Sequence, residues 1–135
     1  MKSYIKYYIK FLSVFLIFFI LNNCKDIIND PAIPDKDIPT SNVSYSKHIQ
    51  PIFNARCATS GCHDDITRAA NYSMTTWSNA VQPGFIDPFL VSTSKVVWSI
   101  EGIGVEIMPP ISYGYLTKNQ IAGIKTWIAE GAKNN

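Results

Sequence analysis

The chain has 135 residues, enough for one small domain, and 47% of them are hydrophobic, as in an ordinary globular protein. Twelve Lys and Arg stand against ten Asp and Glu, and removing residues 1–23 takes away three lysines and no acid. Nine basic and ten acidic residues remain, so the net charge is close to zero. Without an excess of positive charge, the class of nucleic-acid-binding proteins is excluded.

Residues 1–23 have the pattern of a secretory signal peptide. Lys2, Lys6 and Lys10 precede an apolar run over residues 11–21. A basic start followed by such a run is typical of export signals, and the run is too short for a comfortable membrane span. We therefore expect export with cleavage after residue 23. The alternative is an uncleaved anchor helix in which Lys6 and Lys10 reach towards the polar surface of the bilayer.

Cys24 follows this run directly, at the end of the sequence Ile-Leu-Asn-Asn-Cys. The segment resembles the lipobox of bacterial lipoproteins, whose Cys becomes the lipid-bearing first residue, although two Asn stand where small residues are usual. Several acyl chains on one Cys anchor a protein stably, because each buried methylene contributes about 0.8 kcal/mol. We expect lipid on Cys24 to hold the protein on a membrane of the cell envelope, facing the periplasm or the surface.

Residues 24–42 predict a flexible, lipid-anchored tether. Pro31, Pro34 and Pro39 are interleaved with Asp, Asn and Ser, a composition that disfavours both helix and core. The tether would hold a single domain, over residues 43–135, away from the membrane.

The first helix of the domain is predicted near Ser46 to Arg56. Pro51 belongs in its first turn, because a proline deeper in a helix removes a hydrogen bond. Side chains recur at the spacing of one helical face at Ile49, Ile52, Phe53 and Arg56.

Residues 57–63 read Cys-Ala-Thr-Ser-Gly-Cys-His. Two thiols with a His directly after the second are the groups of the haem-attachment motif Cys-x-x-Cys-His, in which the thiols form thioethers with the haem vinyl groups and the His ligates iron. Four residues separate the cysteines here, a spacing that resembles a variant found in bacterial c-type cytochromes. Because the vinyl-to-vinyl distance is fixed, the extra residues must bulge outward, and Ser60-Gly61 suit a bulge.

Two other interpretations of this motif remain open. Cys57 and Cys62 can form a disulfide in an oxidising compartment. Together with His63 and His48 they also have the ligand types of a zinc site. Neither interpretation explains why a His follows the second Cys directly.

Two short helices are expected in the middle of the domain. One runs from Thr75 or Thr76 to about Val81, and the other from about Ser92 to Ile100, ending at Gly102. Residues 112–115 are expected to form a turn.

The last helix is predicted to begin after Thr117, with Gln120 completing a capping box. Leu116 and Ile121 are spaced for a hydrophobic staple across that cap. Gly131 should end the helix. A buried stripe is expected at Ile121, Ile124, Trp127 and Ile128. Few segments alternate with period two, so the fold class is predicted to be all-α.

Met108 is the candidate for a second ligand, because a thioether is soft and neutral, and a His/Met pair raises the haem potential. Pro109-Pro110 would stiffen its loop. Core packing is the ordinary role of a lone Met. Met74 is a competing ligand, but it lies only eleven residues after His63 and should struggle to reach the other face of a haem. His48 is a weaker competitor, expected on a solvated helix face.

Taken together, these segments resemble small cytochrome c domains of bacterial lipoproteins. The resemblance covers the whole expected domain, in the run from Ile49 through His63, in Met108-Pro109-Pro110, in Leu116-Thr117 and in the run from Trp127 to Ala132. It implies a cytochrome c-like fold, with short helices around one haem and with crossing N- and C-terminal helices. It also implies one covalent haem c attached to Cys57 and Cys62, with His63 proximal and Met108 distal.

The expected function is single-electron transfer in the cell envelope between redox partner proteins that the sequence does not identify. A filled sixth iron position argues against oxygen or peroxide chemistry, so a carrier and not an enzyme is expected. One alternative is an accessory redox subunit of a larger oxidoreductase complex. The other is a structural lipoprotein without haem, with a disulfide or zinc at Cys57 and Cys62.

Overall fold

The computed structural model describes residues 38–135, which belong to one compact unit. The predicted signal peptide, the predicted lipid on Cys24 and most of the predicted tether lie outside the described residues. Within residues 38–135, no helix combines the length and the apolar character that a membrane span requires.

Four α-helices and no strand are present between residues 38 and 135, which confirms the all-α class. The helices, numbered in chain order, are α1 (Gln50–Arg56), α2 (Trp77–Ala80), α3 (Lys95–Glu101) and α4 (Lys118–Ala129). A π-helical turn, Tyr45–Ile49, leads directly into α1, and short 3-10 turns occupy Ala69–Asn71 and Ile111–Tyr113.

The first helical stretch lies where it was predicted, but its opening turn is π-helical. The Gln50 N–H donates to the Tyr45 carbonyl, five residues back and not four. Pro51 is the second residue of α1, where its missing N–H costs that helix no bond. The periodicity of the side chains predicts a helix here but does not distinguish α from π register.

The last helix begins and ends as predicted. Thr117 Oγ1 accepts the Gln120 N–H at 3.2 Å, and Gln120 Oε1 accepts the Thr117 N–H at 3.0 Å, which completes the capping box. Gly131 follows with φ +99°, a conformation that a glycine adopts without strain. Of the predicted stripe, Ile124, Trp127 and Ile128 are fully buried and Ile121 is half-buried.

The middle helices match the prediction except at one boundary. Thr76 caps α2 through the Asn79 N–H, and Gly102 ends α3 with φ +67°. However, α3 begins at Lys95 and not near Ser92, because Ser94 is held in a turn: its hydroxyl accepts the Asp87 N–H and donates to the Leu90 carbonyl, both at 2.9 Å. The predicted turn at residues 112–115 overlaps the 3-10 turn Ile111–Tyr113.

An aromatic cluster packs the first helical stretch onto α4. The Tyr45 ring stacks on Trp127 with centroids 5.3 Å apart, and the edge of Phe53 meets Trp127 at 6.1 Å. All three side chains are buried. The Glu130 carboxylate, just after α4, accepts the N–H groups of Asn42 and Val43. The N- and C-terminal helical segments therefore pack directly against each other.

Candidate functional site

A largely apolar cavity of about 320 Å³, partly open to solvent, brings the sequence-predicted site residues together. Cys57, Cys62, His63 and Met108 all line it, although 44 residues separate the last two in the chain. The other lining residues are Phe53, Arg56, Gly61, Ala69, Tyr72, Met74, Val96, Ser99, Ile100, Pro109, Pro110, Tyr113 and Ile124.

The loop between the two cysteines bulges outward as the longer spacing requires. The Cys62 N–H donates to the Thr59 carbonyl at 3.0 Å, and the His63 N–H donates back to the Cys57 carbonyl at 3.1 Å. Gly61 has φ +85°, and Ser60 and Gly61 are both exposed. These backbone bonds close the loop on itself, so the two cysteines and His63 face one cavity despite the extra residues.

Both thiols are free in the structure, and no disulfide joins Cys57 to Cys62. Burial raises the pKa of the Cys57 thiol to about 12; the nearby Cys62 adds to the increase and the Arg56 charge opposes it. Cys57 is therefore a protonated thiol at neutral pH, which makes it a weak nucleophile and a poor metal ligand until something activates it.

The imidazole of His63 is oriented by a backbone carbonyl. Its Nδ1 lies 3.1 Å from the Tyr72 carbonyl oxygen. A carbonyl oxygen only accepts, so Nδ1 carries the proton and Nε2 keeps the lone pair that can ligate a metal. The Tyr72 ring meets His63 edge to face with centroids 5.5 Å apart, and its hydroxyl donates to the Ala80 carbonyl at 2.6 Å.

Asp65 holds the segment that carries this carbonyl. Its Oδ1 accepts the hydroxyls of Ser73 at 2.7 Å and of Thr75 at 2.8 Å, and the Asn79 amide lies at 3.3 Å. The hydrogen bonds from Ser73 and Thr75 lower the pKa of the Asp65 carboxyl. The loop that follows His63 is thereby fastened to residues 73–79, which includes the start of α2.

Met108 reaches the cavity from a separate loop, residues 103–116, called the distal loop below. The Met108 N–H donates to the Ser99 carbonyl at 2.8 Å, which ties this loop to α3. The Met108 side chain keeps 37% of its surface exposed, whereas Pro109 is buried beside it. The thioether is thus available at the cavity, on a loop whose backbone is attached to α3 at Met108 itself.

The two competing ligands, Met74 and His48, differ in their position relative to the cavity. Met74 also lines the cavity, but it is 3% exposed and its N–H donates to the carbonyl of His63 itself at 2.9 Å. Its backbone is therefore attached to the same segment as the proximal candidate. His48 is not among the lining residues, and its Nδ1 accepts the Ser44 N–H at 3.0 Å.

Between residues 38 and 135, no three or more His, Cys, Asp and Glu side chains are placed to hold a metal ion. The four-ligand zinc interpretation therefore has no support from the described part of the chain. This absence does not bear on a haem site. A haem iron takes only two ligands from the protein, and one of the two expected here is a Met, which is not one of these four residue types.

Three lining residues have roles that the sequence did not reveal. Tyr72 and Ser99 act through backbone carbonyls, which every residue has, so their types carry no signal. Arg56 lines the cavity and its Nη1 donates to the Tyr113 carbonyl at 2.9 Å. The helical spacing predicts only the face on which Arg56 lies, although its position directly before Cys57 indicates a side chain near the site.

Comparison with protein-family models, with curated proteins and with solved structures finds no match to this chain. The assignment of a function therefore rests on the residues of the site and their geometry.

Proposed function

We propose that the protein is a single-haem c-type cytochrome that transfers electrons in the cell envelope. Thioethers at Cys57 and Cys62 would attach one haem c, with His63 and Met108 as axial ligands. The observation that carries the proposal is a single apolar cavity lined by two free thiols, an imidazole with its Nε2 lone pair available and a thioether from a distant loop.

The chemistry of the lining residues suits a haem. A macrocycle with large apolar faces requires aliphatic and aromatic surroundings. Val96, Ile100 and Ile124 provide the aliphatic side chains, and Phe53 and Tyr72 provide aromatic rings. Met108 and Tyr113 line the cavity yet are 37% and 54% exposed. Exposed apolar side chains around a concave site indicate a surface that a bound apolar group covers.

Covalent attachment requires the free thiols that the structure contains. Each S–H group adds across one vinyl C=C bond: sulfur bonds to one carbon, the hydrogen goes to the other, and nothing leaves. A Cys57–Cys62 disulfide would have no such hydrogen to give. Since burial keeps Cys57 protonated at neutral pH, we expect attachment to need dedicated machinery and not to proceed spontaneously.

The axial pair explains why the protein would carry electrons and catalyse nothing. Haem, when bound, supplies a one-electron couple between ferric and ferrous iron. The Tyr72 carbonyl orients His63 and increases its basicity as a ligand, and the soft Met108 thioether favours the ferrous state. If His63 and Met108 both ligate the iron, no iron site would be left for a substrate.

The location follows from residues 1–42. A signal peptide, lipid on Cys24 and a Pro-rich tether would place the domain at a membrane surface, where it can reach redox partner proteins. A Cys24→Ala variant should remain unprocessed or be released from the membrane fraction. An accessory redox subunit of a larger oxidoreductase is the second candidate; it uses the same haem site, and co-purifying subunits would identify it.

The ligand assignment is tested by comparing Met108→Ala with Met74→Ala in protein made with haem-attachment machinery. Met108→Ala should abolish the weak long-wavelength absorption band of Met-ligated ferric haem, lower the reduction potential and allow carbon monoxide to bind ferrous iron. Met74→Ala should keep the band and exclude carbon monoxide. The reverse pattern would transfer the distal role to Met74, and a chain without any haem spectrum would refute the proposal.

A further inference from the structure

Arg56 ends α1, directly before Cys57, and its side chain lines the cavity. Of the described residues that line the cavity, Arg56 alone carries a permanent charge. Its Nη1 donates to the Tyr113 carbonyl at 2.9 Å, across 57 residues of chain. One side chain therefore connects the Cys57 end of the site to the distal loop that carries Met108.

Gly114 allows this connection to be close. A Cβ placed on Gly114 would lie 3.4 Å from Arg56 Nη1. Gly114 also has φ +76°, a backbone conformation that glycine adopts without strain and most other residues avoid. The guanidinium is thus packed against the backbone of residues 113–114. Arg56 therefore contacts the backbone of the distal loop and not a flexible surface side chain.

The proposed cofactor carries negative charge that a guanidinium can pair. A haem carries two carboxylates, and an anion at the rim of an apolar cavity is unfavourable unless it is paired. A guanidinium has five N–H donors in a planar fork, so it can serve a backbone carbonyl and a carboxylate together.

We propose that Arg56 binds a carboxylate of the haem and, through the Tyr113 carbonyl, positions the loop that presents Met108. This inference rests on the proposed function. Arg56 is a positioning residue for the distal ligand as well as a cofactor-binding residue. Its charge raises the reduction potential, since a nearby cation favours the more reduced iron, and its bond to Tyr113 keeps the Met108 loop closed.

The two roles are separable by substitution. Arg56→Gln removes the charge and shortens the side chain, so the potential should fall and carbon monoxide should bind ferrous iron faster. Arg56→Lys keeps the positive charge but lacks the planar guanidinium that reaches both partners. Its reduction potential should stay near the wild-type value, and carbon monoxide should still bind faster than in wild type. Arg68→Gln is the matched control, because it removes an Arg charge at an exposed residue that does not line the cavity.

The experiment measures the reduction potential and the carbon monoxide association rate of the four haem-loaded proteins, wild type included. A larger potential shift in Arg56→Gln than in Arg68→Gln, with faster carbon monoxide binding in both Arg56 variants, supports the inference. Equal behaviour of Arg56→Gln and Arg68→Gln overturns it. If Arg56→Gln does not fold, Arg56→Lys decides: wild-type carbon monoxide kinetics in that variant overturn the positioning role. Failure of wild type to take up haem would instead refute the proposed function itself, and this inference with it.

Discussion

The closed core and the distal loop both contain aliphatic and aromatic residues, but the core buries them and the loop exposes them. In the core between the first helical stretch and α4, Ile49, Trp127 and Ile128 are 0% exposed. In the distal loop, Ile111 is 74% exposed and Tyr113 is 54% exposed. The core is stabilised by protein alone, whereas the loop leaves apolar side chains uncovered around a cavity.

The difference shows where a bound group would add stability. Backbone bonds hold the distal loop at a few points, such as Met108 N–H to the Ser99 carbonyl and Gly114 N–H to the Ile111 carbonyl. Loops with little buried apolar area and few backbone bonds open more easily than packed helices. Haem should therefore order the distal loop more than it stabilises the core.

The largest effect is expected from breaking the closed core. Trp127→Ala removes a fully buried indole that packs on Tyr45 and Phe53, and it should lower the free energy of unfolding by about 3–5 kcal/mol. Denaturant titration measures this loss. Ile66→Ala, at a side chain that is 94% exposed, is the control and should stay within about 0.5 kcal/mol. Equal losses in the two variants would show that the cluster is not the centre of stability.

Two buried tyrosines, one at the cavity and one in the closed core, differ in how their hydroxyls are paired. Tyr72, at the cavity, donates its hydroxyl to the Ala80 carbonyl, so Tyr72→Phe should cost about 1 kcal/mol. The Tyr45 hydroxyl, in the closed core, is buried and has no hydrogen-bond partner among residues 38–135, so Tyr45→Phe should be neutral or stabilising by about 1 kcal/mol. The denaturant midpoint should fall in Tyr72→Phe, and it should stay unchanged or rise in Tyr45→Phe. A shared direction would mean that the hydroxyls are not differently paired.

The same tyrosines predict a loss of stability at alkaline pH. Burial raises the pKa of Tyr45 from 10.0 to about 12 and also raises the pKa of Tyr72. Because the unfolded tyrosines lose their protons first, their contribution is complete below pH 10 and is lost as the pH rises towards the folded values. The denaturant midpoint should fall between about pH 10 and pH 12, and less steeply in Tyr45→Phe. A slope unchanged by that substitution would contradict the assignment.

The smallest effect on the protein without haem is expected in the distal loop. Tyr113→Ala should change the free energy of unfolding of haem-free protein by less than about 0.5 kcal/mol, because the side chain is largely exposed and the bond to Arg56 uses the backbone carbonyl. In haem-loaded protein the loss should be measurably larger than in Ile66→Ala, since the ring would then cover the cofactor. Equal losses in both states would argue that nothing is bound beside Tyr113.

Local signals predicted much of the helical structure. The capping box at Thr117 and the glycines after α3 and α4 determine their helix boundaries through contacts within a few residues, which a sequence shows directly. The beginning of α3 was misplaced because two serines, Ser92 and Ser94, are both suitable caps, and a tertiary turn selects the second. The π register before Pro51 was missed because both registers fit the same apolar spacing.

The candidate site also has a part that local sequence indicates and a part that it does not. Cys57, Cys62 and His63 lie within seven residues, so their side-chain chemistry identifies them together. Three contacts of the site are made to backbone carbonyls beyond the reach of helical or turn spacing. They join His63 to Tyr72, Met108 to Ser99 and Arg56 to Tyr113. No residue type is required at the accepting position of such a contact, so the sequence cannot indicate it.

The most direct test of the haem site is a pyridine haemochrome spectrum combined with intact mass, on protein made with haem-attachment machinery. The spectrum should have the position typical of two thioethers, the mass should increase by one haem, and the haem should survive acid extraction. Cys57→Ala or Cys62→Ala should shift the band or lose the haem, because each removes one of the two thiols that line the cavity. A chain of unchanged mass, or complete release of the haem by acid, would contradict covalent attachment at these two cysteines.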